Sequence, residues 1–185
     1  MSHSKILDRN KTALVVVDIQ EAFRSVISEF PIIASQASKI VSGFQILDLP
    51  IFVTEQYPKG LGRTAEEILM NLPADFEIFE KTTFSSCGSN EFNDKIKERN
   101  ISQVLLCGLE THICVNQTAH SLLNRGIEVH LLTDVVGSRY TSDKETALQK
   151  MKLNGVMPSS IEMALFELLR DAKHEQFKEI QNLIK

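Results

Sequence analysis

Short unbroken apolar runs alternate along this chain with stretches whose apolar residues recur every three or four positions, and no other feature limits its fold as much. The runs are Ala13 to Val17 (ALVVV), Ile51 to Thr54 (IFVT), Phe76 to Glu80 (FEIFE), Gln103 to Cys107 (QVLLC) and Glu128 to Leu132 (EVHLL), with a weaker one at Gly155 to Met157. Runs of Val, Ile and Leu without polar alternation suit strands covered on both faces. Between them, Ile32 to Leu47 places Ile33, Ala37, Ile40, Val41 and Phe44 on one helical stripe. Further helices are predicted over Asn90 to Arg99, Val115 to Asn124 (stopped by Arg125 and Gly126), Asp143 to Asn154 (stopped by Gly155) and Ser159 to Arg170, which opens on a capping serine. Strands and helices alternating in this way form a parallel sheet with helices on both sides, an α/β fold, and right-handed crossovers leave it few topologies.

A chain of 185 residues is read as one domain. A domain of that size buries about 70% of the surface its unfolded form exposes. Neither a repeat nor a low-complexity linker divides it. A C-terminal helical tail from about His174 carries Phe177, Ile180 and Ile184 at helical spacing, suited to packing on the domain or on another subunit. The formal net charge is −4 and the basic residues are scattered. A phosphate-neutralising patch for nucleic acid is therefore not expected. Three cysteines without CxxC spacing argue against a disulfide framework or a zinc ribbon and fit a reducing compartment. No apolar stretch precedes Ala13, so no secretory signal is expected, and ALVVVDI is too short to cross a bilayer. The expected location is the cytoplasm, with no membrane partner.

Ligands of open parallel sheets bind beyond the carboxyl ends of strands. There this chain places Asp18 and Gln20 after the first run, Lys81 after the third, and Thr111-His112-Ile113-Cys114 after the fourth. Cys107, inside its run, reads as a small buried hydrophobe. Cys114 differs. If Thr111 caps the following helix, the sulfur sits in the first turn, where unpaired N–H groups and the helix dipole favour thiolate. The other reading of Cys114 is a packed, inert cysteine. Asp18 ends an apolar run, so its carboxylate must be paired or protonated: it is either a cap or structural ion pair, or the base that takes the thiol proton. Lys81 alone reads as a solvated surface lysine. Beside Asp18 and Cys114, its ammonium would orient the carboxylate and lower the thiol pKa. Spacing does not decide among these.

The segments ALVVVDIQEAF, FEKTTFSS and GLETHICVNQTAHSLLNRGIEVHLLTDVVGSR together resemble the isochorismatase-like cysteine hydrolases, from about Lys11 to Leu169. The resemblance implies a six-stranded parallel sheet in the order 3-2-1-4-5-6 between helical layers, a three-layer α-β-α fold. It matches Asp18, Lys81 and Cys114 to the family's catalytic triad. It also implies a non-proline cis peptide between Leu109 and Glu110, and an oxyanion hole made by the backbone N–H groups of Glu110 and Cys114.

Metal-using relatives carry an Asp-x-His pair after the second strand. Here Glu55 and Tyr57 stand at those positions, and no histidine follows until His112. No metal is expected, and nicotinamide becomes a less suitable substrate. His112 lies two residues before Cys114, and i and i+2 on a helix face different ways. It reads as lining the pocket or as structural rather than as a base. Gln20, Phe23, Gln56, Tyr57, Phe84, Leu109 and Ile113 are the further candidate pocket residues. No GxGxxG follows a strand, so no dinucleotide cofactor is expected. The function that follows is hydrolysis of a C–N bond in a small molecule through a Cys114 thioester, by a homo-oligomer. The alternatives are a catalytically silent binding protein on the same fold and a redox-sensing thiol protein.

Overall fold

In the computed structural model, which describes residues 5–74 and 76–185, six strands form one sheet: β1 (Thr12–Val17), β2 (Ile51–Gln56), β3 (Ile78–Lys81), β4 (Gln103–Leu109), β5 (Glu128–Gly137) and β6 (Met157–Ser159). Every pairing is parallel, and the order is β3-β2-β1-β4-β5-β6. Among the described residues, eight α-helices accompany them: α1 (Phe30–Ile46), the single turns α2 (Pro58–Leu61) and α3 (Glu66–Leu69), α4 (Asn90–Glu98), α5 (Asn116–Leu123), α6 (Thr141–Leu153), α7 (Ile161–Leu169) and α8 (Phe177–Ile184). This is the three-layer α/β architecture expected from the alternating runs.

The central strands are buried along their whole length, because successive side chains face opposite helical layers. Leu14 and Val16 join a core with α1, α7 and α8. Ala13, Val15 and Val17 join a second core with α4, α5 and α6. In the second core, Phe52, Phe79 and Phe92 meet edge to face, with centroids 5.8–6.1 Å apart, tying β2 and β3 to α4 in the geometry aromatic quadrupoles favour.

The differences from the predicted elements have local causes. β5 continues well past Leu132 because its polar residues have partners. The Thr133 hydroxyl donates to the Ser159 carbonyl at 3.1 Å, and Asp134 accepts from the Ile161 N–H at 3.0 Å. β6 starts two residues late because Gly155 takes φ 95° and the Val156 N–H returns to the Met151 carbonyl, closing α6 first. The tail forms α8 and folds back on its own chain: Ile180 is fully buried and Phe177 stacks edge-on against Phe166 at 6.0 Å. Its apolar face is therefore spent within the chain. Among the described residues, no helix is long and apolar enough to cross a membrane.

Near the carboxyl end of β4, Gly108 has φ 139°, and a Cβ there would lie 2.1 Å from the Val17 carbonyl oxygen. Only glycine lets β4 pass β1 this closely. That contact is one residue from Asp18, so it sets how the ends of β1 and β4 sit beside each other.

Candidate active site

Asp18 follows β1 in a left-handed conformation, φ 52°, which Asp tolerates better than most residues. Its carboxylate accepts a hydrogen bond from Lys81 Nζ at 2.6 Å on one oxygen and from the Thr54 hydroxyl at 2.8 Å on the other. Lys81 is the last residue of β3. Its ammonium also donates to Gln56 Oε1 at 2.8 Å and to the carbonyls of Phe84 at 3.1 Å and Thr83 at 3.3 Å. Both side chains are 1% exposed. Lys81 is therefore no solvated surface lysine. The two residues form a buried ion pair at the carboxyl edge of the sheet, and such a pair persists only when its remaining polar capacity is met.

Cys114 lies in a wide turn, Thr111–Val115, that runs directly into α5, with the Val115 N–H reaching the Glu110 carbonyl at 3.3 Å. Widened turns of this kind recur at functional sites. The peptide joining Leu109 to Glu110 is cis. Thr111 does not cap the helix. Its hydroxyl donates to the Gly137 carbonyl at 2.9 Å and anchors the turn to β5.

Cys114 is 7% exposed. Burial pushes its thiol up, the negative charge of Asp18 adds to this, and Lys81 opposes without prevailing. A hydrogen bond with Asp18 and the charge of Glu110 act in the same upward direction, leaving the thiol at about 12. The expectation of a resting thiolate is thereby corrected. One turn of helix dipole is too weak to offset desolvation beside a carboxylate. Asp18 and Lys81, drawn from separate strand ends, meet directly, and both charges act on the Cys114 thiol, whose shift favours the protonated form.

The remaining candidates divide. Gln56 contacts the ion pair through Lys81, and its amide donates to the Thr82 carbonyl at 2.8 Å. Tyr57 and Phe84 are exposed on the loops that follow β2 and β3. Ile113 is partly buried against the second core and Phe23 against the first. His112 turns toward Ser138, with Nδ1 3.0 Å from the hydroxyl, and its Nε2 lies 3.7 Å from Asp143. Two residues do not sit where a pocket wall would need them. Gln20 is fully buried, donating to the carbonyls of Gln56 and Gly62 and accepting from the Gln56 N–H, so it braces the loop after β2. Leu109 is a fully buried member of the first core, because the alternation of β4 turns it there. Two residues at the site were not singled out from the sequence: Thr54, which fixes the Asp18 carboxylate, and Arg139, which pairs with Glu110 at 2.8 Å.

The sequence matches the family model described as Isochorismatase domain over residues 12–163. The chain belongs to the isochorismatase domain family. It is 40% identical over 174 residues to isochorismatase domain-containing protein 1 of Salmo salar, covering 94% of this chain but 61% of that protein. The chain thus spans about three fifths of that relative's length. It is 38% identical to isochorismatase domain-containing protein 2 of Danio rerio, covering 96% of this chain and 89% of that one. Among solved structures, that of MAR1 ribonuclease from Caenorhabditis elegans superposes with a TM-score of 0.93 at 38% identity, covering 97% of this chain and 92% of that one.

In this isochorismatase domain, Glu55, at the position compared above with a metal-ligating aspartate, is turned inward. One carboxylate oxygen accepts from the Thr64 N–H at 2.6 Å and from the Thr64 hydroxyl at 2.7 Å. Among the described residues, no three His, Cys, Asp or Glu side chains gather as a metal-ion site. Burial is the leading cause that raises all three thiols, Cys87, Cys107 and Cys114, above the ordinary 9.0. The folded chain then keeps protons that the unfolded chain gives up. The contribution of the thiols to stability should be flat below that value and fall as pH rises past it, by up to about 1.4 kcal/mol per pH unit for each thiol. Urea midpoints measured across that range check this, and Cys107→Ala should make the decline shallower.

Proposed function

We propose that this protein is a hydrolase that cleaves a carboxamide-type C–N bond of a small molecule through a Cys114 thioester. The observation that carries the reading is the buried Asp18–Lys81 pair at 2.6 Å, whose charges both act on the Cys114 thiol. Membership of the isochorismatase domain family supports a hydrolase. Asp18 accepts the thiol proton as the sulfur attacks the carbonyl carbon, so thiolate forms only as the new bond does. Backbone N–H groups of Glu110 and Cys114 receive the negative charge that develops on oxygen. Protonated Asp18 returns its proton to the departing nitrogen, and ammonia or an amine leaves. Asp18 then takes a proton from water, which attacks the thioester and releases the acid, while the sulfur recovers a proton. Lys81 keeps the carboxylate oriented throughout. We take the protein to work in the cytoplasm as a homo-oligomer; the family resemblance and the unpaired thiols support this.

A panel of small amides, assayed for ammonia release with Cys114→Ala as the blank, tests the reading. Turnover should depend on Cys114, and rapid acid quenching should give wild-type protein heavier by the acyl group on the Cys114 peptide. Full turnover of a substrate by Cys114→Ala would end the proposal. The C. elegans neighbour is named a ribonuclease, so single-stranded RNA belongs in the same panel. Cys114-independent cleavage of RNA would replace the amide reading. A ligand that binds without turnover would favour a silent binding protein, and reversible sulfenic acid at Cys114 under mild peroxide would favour a redox sensor.

A further inference from the structure

The start of the turn that carries Cys114 is gripped at three successive residues, Glu110 to His112, by three successive residues at the end of β5, Gly137 to Arg139. Arg139 holds Glu110: its Nε donates to Glu110 Oε1 at 2.8 Å and its backbone N–H to the same oxygen at 3.3 Å. The Gly137 carbonyl accepts from Thr111 at 2.9 Å, and the Ser138 hydroxyl lies 3.0 Å from His112 Nδ1. The Glu110 side chain is only 7% exposed, whereas that of Arg139 is 47% exposed. A carboxylate this buried needs a counter-charge, and Arg139 provides it from the rim of the site.

We propose that Arg139 is a positioning residue for Cys114: by clamping Glu110 it fixes the peptide that opens the nucleophile turn and offsets the negative charge at the head of that turn. The inference rests on the thiol reading above and extends it to a residue that does not touch the reacting atoms. The charge of Glu110 is among the causes that push the Cys114 thiol up. Arg139, 2.8 Å from that carboxylate, is placed to offset its charge. Lysine can replace its charge but not the planar fork that meets a carboxylate.

The test needs no substrate. Alkylation of Cys114 by iodoacetamide, a neutral reagent, is followed by mass spectrometry of the Cys114 peptide from neutral to alkaline pH. Arg139→Met should slow it at a given pH by less than the roughly tenfold that one pKa unit makes, because Glu110 is the smallest of the causes that raise the thiol. Arg139→Lys should regain part of that loss. The double variant Arg139→Met/Glu110→Gln should be faster than Arg139→Met alone, because the uncompensated carboxylate is gone. Glu110→Gln by itself, which keeps the cation, should alkylate faster than wild type, and it serves if Arg139→Met does not fold. An unmoved pH profile in Arg139→Met, or a double variant no faster than the single one, overturns the inference. Because iodoacetamide replaces the substrate, a failed amide panel together with the expected alkylation pattern would remove the hydrolase reading and leave the clamp standing.

Discussion

Replacing Asp18 with Asn should move the two reactivities of Cys114 in opposite directions. Turnover should fall by about 10²–10⁴-fold, the range that general-base groups supply, because an amide cannot accept the thiol proton. Alkylation of the same sulfur near neutral pH should become about tenfold faster or more, since one unit of thiol pKa changes the thiolate fraction tenfold. The charge of Asp18 is the second largest cause that raises the thiol, and the Lys81 ammonium that lowers it would then be opposed only by burial and the charge of Glu110. A thiol activated by a permanently depressed pKa would lose both reactivities together, as would one damaged by misfolding. Parallel measurement of ammonia release and of adduct mass on the Cys114 peptide separates these cases. Turnover within a few-fold of wild type in Asp18→Asn would sink the base assignment.

The parts of this site that the sequence makes legible are those carried by strand ends. A polar residue that ends an unbroken apolar run must lie at the sheet edge, and Asp18, Lys81 and the segment entering Cys114 all do so. The sheet order needed more. Six runs admit several right-handed arrangements, and it was the resemblance that selected the order observed. The polar partners are illegible for a different reason. Thr54 reads as part of a strand, and only the β1–β2 register, which pairs Val17 with Thr54, brings its hydroxyl to Asp18. Arg139 stands well along the chain from Glu110 and meets it because β5 runs past Leu132, a continuation hidden by polar Thr133 and Asp134 whose partners lie on β6 and α7. Position along the sequence points Gln20 and Leu109 to the pocket, but side-chain direction decides lining. Gln20 turns to the loop after β2, and the alternation of β4 sends Leu109 into the core. The state of the thiol went the other way from its sequence reading because a helix start shows in sequence and the depth of burial does not.

Lys81→Met should cost more stability than Asp18→Asn. Lys81→Met leaves the Asp18 carboxylate, 1% exposed, without its counter-charge and with only neutral donors such as the Thr54 hydroxyl. Breaking a buried pair in this way costs about 3–5 kcal/mol. Asp18→Asn is milder, because the ammonium keeps Gln56 Oε1 and the carbonyls of Thr83 and Phe84 as acceptors. If the loss in Lys81→Met comes from the stranded charge, the double variant Asp18→Asn/Lys81→Met should be more stable than Lys81→Met alone, with a coupling between the sites of about 1–3 kcal/mol, while remaining inactive. Urea unfolding of the four proteins gives that coupling directly. Additive losses, with the double variant the least stable, would mean that Lys81 contributes mainly through its stem and its contacts to the Thr83–Phe84 carbonyls. The ion pair would then be incidental to the fold and would be kept, if at all, for what Asp18 does to the sulfur.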